Sequence, residues 1–415
     1  MTHELWVVGA GPGAADQLTP AAAAVLARAG CVVAAARHAG LAGGHPNVVL
    51  LKGIAETLDR VEHELERGSV AVLVSGDPGI YSLLPTLRRR WPDRALRVVP
   101  GVGSIQSLCA AAGETWEDAA ILSGHGRPLS ASRLLNTVER RRLTLLFCGG
   151  DHSPRWACEA LAGAVGGLGA RVEAVVGERL SYPDERVTRG TPAELAGRDF
   201  DALSLMLVRN PEPWTPPFGR PRDADFERGE VPMTREEVRS VVLDRLELRP
   251  DSVLWDVGAG TGSVSAAAAL AFPDAEVHAV ECVPEAVSLL ERNRERFRLH
   301  NMTIRPGRAL ALAGSLPDPT HVFVGGSGGE LRELLELLPG RAGAVRVVVA
   351  AVTLQTLSEA VTALSGPGYR DLEAVQISVS ASRALGRSLL MAARNPVTLL
   401  CAWCRPRFAI DGLCP

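Results

Sequence analysis

The chain has 415 residues, of which 47% are apolar and 22% are charged, and its formal net charge is −3. This composition can fill sizeable cores, which excludes a long disordered chain, and the length predicts two or three domains. The slight negative charge and the 4% of aromatic residues argue against a nucleic-acid-binding protein.

The first residues indicate a strand that leads directly into a glycine turn, and no apolar run reaches the roughly 18 residues of a membrane span. We therefore expect a cytoplasmic protein without a signal peptide or a membrane partner. Eight cysteines scattered through so long a chain predict reduced thiols. Cys401 and Cys404 have CxxC spacing but fall on a predicted strand, where they would face opposite sides, so we expect no metal site.

Residues 1–209 alternate short β-branched runs with alanine-rich helical stretches, which predicts a largely parallel, helix-covered α/β sheet. The predicted strands are residues 5–8, 70–75, 96–99, 143–147, 172–176 and 202–208. The glycine turn at 9–14 matches GxGxxA, but Thr19 and Pro20 predict that the helix starts well after it. The next strand is followed by Arg37 and His38 instead of an acid, which argues against a dinucleotide site.

Four further loops follow predicted strands, at residues 75–82, 100–106, 123–127 and 177–185. In this order the loops resemble those of the tetrapyrrole methylases, specifically the cobalamin-pathway branch that methylates carbon 5. The resemblance implies a cleft for S-adenosylmethionine and a tetrapyrrole, lined by Gly9, Gly11, Pro12, Gly13, Gly76, Asp77, Pro78 and Ser104. His125 would accept a proton or contact the substrate, and Arg127 would pair with a substrate carboxylate. The alternatives are an ordinary loop histidine and a solvated arginine.

Five prolines within residues 210–221 predict an extended linker, which we place at 210–230. A second unit, 231–415, begins near Thr234, whose capping-box spacing to Glu237 predicts the start of a helix. Strands are predicted at 253–257, 277–281, 321–324 and 345–349, with a terminal pair near Val375 and Leu399.

A glycine-rich turn, residues 256–262, ends the first strand of this unit before a helical stretch at 265–271. Glycines and free helix N–H groups allow a ligand to approach closely, and Glu281 at the end of the next strand can bond both hydroxyls of a ribose. Because position 263 is serine, the dinucleotide fingerprint is incomplete, and the turn suits S-adenosylmethionine, which has no pyrophosphate. Four glycines at 325–329 indicate another close backbone approach or merely a tight turn.

With segments 233–239, 352–356 and 394–397, this loop resembles the decarboxylating precorrin methyltransferases that act at carbon 15. The resemblance covers residues 231–405 and implies a Rossmann-like class I methyltransferase sheet. It makes Gly326 and Ser327 candidate catalytic residues. The implied cofactor-binding residues are Thr234, Asp256, Gly258, Ala259, Gly260, Thr261, Gly262, Glu281 and Ala309. Ala267 and Gln355 replace glutamates of the family pattern, and Arg308 stands where related enzymes often have an acid near the adenine.

Together the halves resemble the fused precorrin C(5,15)-methyltransferases of cobalamin biosynthesis. This implies methyl transfer from S-adenosylmethionine, at one site per domain, to carbons 5 and 15 of precorrin-6B (precorrin-6Y), with decarboxylation of an acetate side chain to give precorrin-8X. We expect a homo-oligomer that binds a tetrapyrrole and no nucleic acid. Two alternatives stay open, namely a class I methyltransferase for a nucleic acid or a protein and a non-catalytic nucleotide sensor.

Overall fold

The computed structural model describes residues 3–126, 128–216, 220–341 and 343–405. The chain divides into two compact α/β units: one comprises the residues up to Gly163 and Gly167–Pro213, and the other comprises Ala164–Gly166 and the chain from Trp214. The predicted α/β fold class is confirmed. In the described ranges, no helix combines the length and the apolar character that crossing a membrane would require.

The first unit contains a five-stranded sheet in the order β3-β2-β4-β1-β5, and all its pairings are parallel. The strands are β1 (Leu5–Gly9), β2 (Cys31–Ala34), β3 (Val48–Leu50), β4 (Val70–Val74) and β5 (Leu96–Val99). The accompanying helices are α1 (Pro20–Arg28), α2 (Ile54–Arg67), α3 (Leu84–Arg90) and α4 (Ser104–Ala112). The central strands are buried throughout, because separate apolar clusters cover the two faces of the sheet. The Thr19 hydroxyl accepts a hydrogen bond from the Ala22 N–H, so the predicted cap of α1 is confirmed.

A second sheet of this unit has the order β6-β7-β10-β8-β9 and is mostly antiparallel. Its strands are β6 (Ala120–Ser123), β7 (Leu143–Phe147), β8 (Glu173–Glu178), β9 (Arg186–Gly190) and β10 (Ser204–Arg209). The helices are α5 (Ala131–Arg140), α6 (Pro154–Ala162), α7 (Leu168–Arg171) and α8 (Pro192–Leu195). The prediction of one largely parallel sheet for residues 1–209 is therefore wrong for this second sheet. The turn 179–185 between β8 and β9 is too short for a parallel crossover, so these strands pair as an antiparallel hairpin.

The second unit is built on a seven-stranded sheet in the order β13-β12-β11-β14-β15-β19-β16, in which β19 is antiparallel to both its neighbours. The strands are β11 (Val253–Val257), β12 (Glu276–Glu281), β13 (Met302–Pro306), β14 (His321–Val324), β15 (Val345–Ala351), β16 (Tyr369–Ile377) and β19 (Val397–Cys404). The helices are α9 (Glu236–Leu246), α10 (Ser263–Ala271), α11 (Pro284–Arg296), α12 (Ala309–Leu312), α13 (Leu331–Leu337) and α14 (Leu354–Leu364). Every strand predicted here is present. The prediction missed β13, an edge strand that ends in a proline.

A separate hairpin, β17 (Ser380–Leu385) with β18 (Ser388–Ala393), lies outside the seven-stranded sheet. It carries four of the exposed large apolar side chains of the described structure, namely Leu385, Leu389, Leu390 and Met391. A two-stranded hairpin is marginally stable alone, and exposed apolar residues of this kind often mark an interaction surface.

Two local predictions in the second unit have different outcomes. The helix after the linker begins at Glu236 with Arg235 at its N-cap, so the predicted capping box of Thr234 is wrong. The buried Arg239 explains the shift, because its guanidinium donates a 2.8 Å hydrogen bond to the Thr234 carbonyl and holds that residue outside the helix. Cys401 and Cys404 lie on β19 in different apolar clusters, which confirms their opposite orientation.

Candidate functional site

A cavity of about 480 Å³ opens at the carboxyl edge of the seven-stranded sheet. Its floor is formed by the loops that follow β11, β12, β13 and β14. In this sheet the strand order reverses between β11 and β14, and open α/β sheets bind ligands at such a switch point. The volume lies within the range of small-molecule sites. The fold therefore places a candidate ligand site where the glycine turn and the 325–329 loop meet.

The backbone of the glycine turn approaches that loop more closely than any side chain would allow. Gly258 has φ +70°, and a Cβ there would lie 2.2 Å from the carbonyl oxygen of Gly326. Gly260 has φ +57°, and its Cβ would lie 3.0 Å from the carbonyl oxygen of Pro232. Both glycines line the cavity, as does Ala259. At the two glycines, the backbone itself forms the cavity wall.

The Glu281 carboxylate lies at the end of β12, buried but in contact with the cavity. One oxygen accepts hydrogen bonds from the N–H groups of Cys282 and Val283, at 2.8 and 2.9 Å. The other oxygen accepts one from the Gly260 N–H, at 2.9 Å. A carboxylate offers about four acceptor positions, so Glu281 supports the turn and keeps capacity for a ligand hydroxyl.

Three of the predicted cofactor-binding residues lie behind the cavity wall instead of lining it. Asp256 is fully buried, and one carboxylate oxygen accepts hydrogen bonds from the backbone N–H and the hydroxyl of Ser265. Burial raises the pKa of the Asp256 carboxyl to about 6, against the opposing effect of those two bonds. Thr261 is also buried, and a Cβ at Gly262 would lie 2.5 Å from the Leu290 side chain. These residues shape the turn from below.

The other predicted residues of this unit converge on the cavity. Thr234, Ala309, Gly326 and Ser327 all line it. Thr234 is held there through its carbonyl oxygen, which accepts hydrogen bonds from the Arg239 guanidinium and, at 3.2 Å, from the Ser263 hydroxyl.

Sequence reasoning flagged Arg308 but missed its partner. The Arg308 guanidinium forms an ion pair with Glu330, and both side chains line the cavity. This pairing raises the pKa of Arg308. A carboxylate therefore does reach this part of the cavity, although it comes from the loop after β14. Arg308 and Glu330 are 22 residues apart in the chain, so no local sequence pattern indicated this ion pair.

The open side of the cavity combines apolar side chains with arginines. Val352, Ile377 and Val379 line it, and Val352 is 62% exposed. Arg394 also lines it and forms a 3.0 Å ion pair with Glu237. Sequence reasoning missed Ile377 and Val379; their alternate spacing at the end of β16 is the signal that could have identified them. The cavity thus has a polar end at the glycine turn and an apolar, partly basic end.

In the first unit, three glycine loops meet at the carboxyl edge of the parallel sheet. A Cβ at Gly9 would lie 2.6 Å from the backbone nitrogen of Gly101 and 2.7 Å from the carbonyl oxygen of Gly76. The Gly76 N–H donates a 2.8 Å hydrogen bond to the Gly11 carbonyl. Ser104, the first residue of α4, follows directly on the third loop. The structure thus brings four of the predicted cleft residues together.

Asp77 ties two of these loops together. One of its carboxylate oxygens accepts a 2.7 Å hydrogen bond from the Gly79 N–H, and the other accepts one of 3.1 Å from the Gly101 N–H. Both bonds are to protein backbone, so Asp77 fixes the loops. The neighbouring Pro78 is buried.

The predicted Gly9–Gly13 loop also contacts the turn between β8 and β9. A Cβ at Gly13 would lie 2.3 Å from the Tyr182 ring, so the ring packs directly on this glycine, next to the half-buried Pro12. The Ala14 N–H donates a 3.0 Å hydrogen bond to the Ser181 hydroxyl. The sequence pattern included this turn among the family-like loops but did not assign it to the cleft. The cleft candidates of the first unit therefore have walls from both sheets.

His125 and Arg127 were the candidate catalytic residues of this unit. His125 is exposed after β6, and its backbone N–H donates a 3.3 Å hydrogen bond to the Ser123 hydroxyl. Its ring covers Gly149, where a Cβ would lie 2.5 Å from Nδ1. Arg127 lies outside the described residues. Their catalytic roles stay predictions.

The sheet order of the second unit, with a glycine turn and a carboxylate at its switch point, is that of a class I methyltransferase fold. The families and the curated relative that match the chain show that it is a methyltransferase. The family profile "Tetrapyrrole (Corrin/Porphyrin) Methylases" matches residues 4–196, and "Precorrin methyltransferase domain" matches residues 225–403. The precorrin-6Y C(5,15)-methyltransferase (decarboxylating) of Sinorhizobium sp is 31% identical over 359 residues, which cover 84% of each chain. The chain belongs to the precorrin-6Y C(5,15)-methyltransferase (decarboxylating) family.

Two further proteins are similar to less than half of this chain. The cobalt-precorrin-6B C(15)-methyltransferase (decarboxylating) of Salmonella typhimurium is 41% identical over 185 residues, 43% of this chain and 93% of the relative. The crystal structure of a precorrin-6Y C5,15-methyltransferase from Geobacter metallireducens is 35% identical, with a TM-score of 0.42, and covers 44% of this chain and 95% of that chain.

Proposed function

We propose that the chain methylates precorrin-6B at carbons 5 and 15 and removes carbon dioxide from an acetate side chain, giving precorrin-8X. The second unit, 231–415, acts at carbon 15 and the first unit, 1–209, at carbon 5. The observation that carries this proposal is the two-ended cavity of the second unit, with Glu281 and the glycine turn at one end and arginines among apolar side chains at the other. Family membership favours a tetrapyrrole over a nucleic acid or a protein.

The polar end of the cavity fits S-adenosylmethionine. Glu281 retains acceptor capacity for ribose hydroxyls, and the close packing of Gly258 on Gly326 and of Gly260 on Pro232 brings bare backbone to this end of the cavity. Ala309 and Glu330 border the same end. When bound, S-adenosylmethionine supplies an electrophilic methyl group on a sulfonium. We infer one such site per unit, the other at the glycine loops around Gly9, because their backbones also leave a wall without side chains.

The open end fits a flat, apolar molecule that carries carboxylates. Val352 and Ile377 offer apolar surface to a macrocycle. Arg394 offers planar donors to a carboxylate, and its partner Glu237 keeps the guanidinium oriented until a substrate competes for it. Both partners of this pair are more than one-third exposed, so exchanging one carboxylate for another costs little.

The residues of the cavity act mainly by positioning. Methyl transfer to a ring carbon needs the carbon and the methyl group aligned at about 3–3.5 Å, with water excluded. The backbones of Gly258 and Gly326 hold the two sides of the cavity at a fixed separation. Ser327 also lines the cavity beside Gly326. Decarboxylation needs an electron sink, which the conjugated substrate supplies, so the protein has to orient the acetate.

The proposed reaction is tested with the purified chain, precorrin-6B and S-adenosylmethionine labelled with ¹³C in its methyl group. We expect a mass increase of two labelled methyl groups and the loss of one carbon dioxide, with ¹³C NMR locating the methyl groups at carbons 5 and 15. Methylation of a nucleic acid or protein substrate without tetrapyrrole turnover would identify the first alternative. Cofactor binding without any methyl transfer would identify a nucleotide sensor.

Glu281→Gln is expected to weaken S-adenosylmethionine binding at one of the two sites by roughly ten- to hundredfold, the value of about 1.5–3 kcal/mol for a charged hydrogen bond. The amide nitrogen of the variant cannot accept hydrogen bonds. Either a backbone N–H of the turn or a ribose hydroxyl therefore loses its acceptor. Calorimetry on the full chain measures both sites. Glu276→Gln, at the far end of the same strand and 53% exposed, is the control. Equal affinities in the two variants would disprove the ribose assignment.

We further infer that the chain forms a homo-oligomer through the β17–β18 hairpin, whose exposed Leu389 and Met391 lie on one face, opposite Ala384 and Ser382. Leu389→Asp combined with Met391→Asp is expected to reduce the mass in solution to that of one chain, because two charges would be buried in the interface. Light scattering measures this. Leu354→Asp, which alters a 78% exposed leucine outside the hairpin, should leave the oligomer intact. A wild-type chain that is monomeric across a broad concentration range would contradict the inference.

A further inference from the structure

Three polar side chains of the first unit form a closed cluster that the proposed function does not use. Arg37 and His38 follow β2, and Ser75 follows the adjacent strand β4. The Arg37 Nε–H donates to His38 Nε2 at 3.1 Å, and its terminal N–H donates to the Ser75 hydroxyl at 2.6 Å. The Ser75 hydroxyl lies 2.7 Å from His38 Nε2. Each residue thus contacts the other two.

The hydrogen bonds determine the protonation of His38. Because Nε2 accepts from the Arg37 guanidinium, a neutral ring carries its proton on Nδ1, which is buried without a hydrogen-bond partner among the described residues. His38 is 1% exposed, and burial, followed by the charge of Arg37, lowers the pKa of its imidazole to about 4. The histidine therefore stays neutral near pH 7 and orients Arg37 without repelling it.

Arg37 has no acidic partner among the described residues, since no carboxylate there lies within ion-pair distance of its guanidinium. Its two bonds use Nε–H and one terminal N–H, so the exposed guanidinium retains further donors. Most surface arginines satisfy their donors with nearby acids or water, whereas this one is fixed by two neutral partners. The arrangement leaves an oriented cation with open donors.

The cluster adjoins the glycine loops of the first unit. Ser75 directly precedes Gly76, whose N–H bonds the Gly11 carbonyl and whose carbonyl oxygen lies against Gly9 and Gly101. The strand order places β2 beside β4, so Arg37 stands at the same carboxyl edge as the candidate cleft. A ligand that reaches Gly76 therefore comes within reach of the guanidinium.

We propose that Arg37 is a ligand-binding residue that anchors a carboxylate in the first unit, with Ser75 and His38 as positioning residues. The proposal deepens the proposed function and rests on it. The planar donors of arginine match a carboxylate in a bidentate manner. Two sources carry that group, namely the acetate and propionate side chains of the tetrapyrrole and the amino-acid end of the methyl donor.

The test compares Arg37→Gln with Arg89→Gln in the full chain. Arg89 is the matched control, because it is exposed and donates to a hydroxyl, that of Thr86, on a helix of the same unit. We expect KM in carbon-5 methylation to rise at least tenfold in Arg37→Gln, with kcat within about threefold. A rise in the KM for precorrin-6B assigns the carboxylate to the tetrapyrrole, and a rise in the KM for S-adenosylmethionine assigns it to the methyl donor.

Ser75→Ala tests the positioning role, because Ser75 is exposed and its loss should not impair folding. The same KM should rise about three- to tenfold, and the double variant Arg37→Gln, Ser75→Ala should match Arg37→Gln, since Ser75 acts through the guanidinium. If the KM effects of the two substitutions were additive, Ser75 would act independently of Arg37, and its positioning role would be overturned.

Direct binding separates failure of this proposal from failure of the proposed function. Quenching of tryptophan fluorescence by precorrin-6B, and calorimetry with S-adenosylhomocysteine, report affinity without turnover. If wild-type chain gives no carbon-5 methylation, the proposed function fails, but a tenfold loss of either affinity in Arg37→Gln still supports the anchor. The proposal that Arg37 anchors a carboxylate is overturned if Arg37→Gln and Arg89→Gln have equal affinities for precorrin-6B and S-adenosylhomocysteine and equal KM values for both substrates.

Discussion

A Gly258→Ala variant is expected to lose carbon-15 methylation and carbon dioxide release by about hundredfold or more, with carbon-5 methylation changed less than about twofold. The added Cβ would lie 2.2 Å from the carbonyl oxygen of Gly326 and 2.7 Å from its backbone nitrogen. Both are backbone atoms, so neither can rotate away as a flexible side chain would. Gly258 also has φ +70°, which strains any residue with a Cβ. The two loops must therefore separate, and a displacement of about 1 Å suffices for a hundredfold loss.

The measurement is the number and position of ¹³C-methyl groups in the recovered tetrapyrrole, together with released carbon dioxide. Gly314→Ala is the matched control, because the same methyl group is added in the same unit where no atom lies within 4 Å. Near-UV and far-UV circular dichroism show whether the Gly258 variant stays folded. A folded Gly258→Ala variant that still methylates carbon 15 at the wild-type rate would refute the assignment of this cavity.

A Gly101→Ala variant is expected to show the reverse pattern, with carbon-5 methylation reduced about hundredfold and carbon-15 chemistry changed less than about twofold. The added Cβ would lie 2.5 Å from the carbonyl oxygen of Gly76 and 2.9 Å from Cα of Gly9. It would thus push apart the three loops whose contact forms the candidate cleft. Gly197→Ala, in the same unit and with no atom within 4 Å, is the control.

The two glycine variants together test the assignment of chemistries to units. Loss of only carbon-15 methylation in Gly258→Ala and only carbon-5 methylation in Gly101→Ala supports separate catalysts. Loss of both methylations in only one of the two variants indicates an obligate order, whereas loss of both in both variants contradicts separate catalysts and indicates mutual dependence. Mixing the two variant chains distinguishes these, because an order restores both methylations through a released intermediate and mutual dependence within one chain does not.

Sequence patterns predicted the second unit well because its strands are apolar runs bounded by glycine or polar turns. The strands β11 and β14 coincide with their predicted ranges, and Glu281 ends β12 as expected. Glycine spacing also located the close approach, although the contact of Gly258 with Gly326 depends on strand order, which no local pattern contains. The conformation of the turn was predictable because its residues are consecutive in the chain.

What the sequence did not predict depends on contacts between distant residues. Arg239 holds Thr234 outside the helix through its carbonyl oxygen, so the capping-box spacing of Thr234 did not predict where the helix begins. Asp256 was assigned to the cofactor because it precedes the glycines, yet its side chain points into the protein, toward Ser265. In the first unit, alternation of strands and helices indicated parallel pairing, whereas the orientation of β10 between β7 and β8 depends on the whole sheet.

The position of β19 has a consequence for the order in which the second unit is made. In the described structure β16 pairs only with β19, and β19 also completes the edge of β15. The ribosome delivers β16 first, so this strand has no neighbour until residues 397–404 have left the exit tunnel. While translation continues, the exposed edge of β15 is open to pairing with other chains. Completion of the seven-stranded sheet therefore waits for residues 397–404, whereas the parallel sheet of the first unit is complete within the first 99 residues.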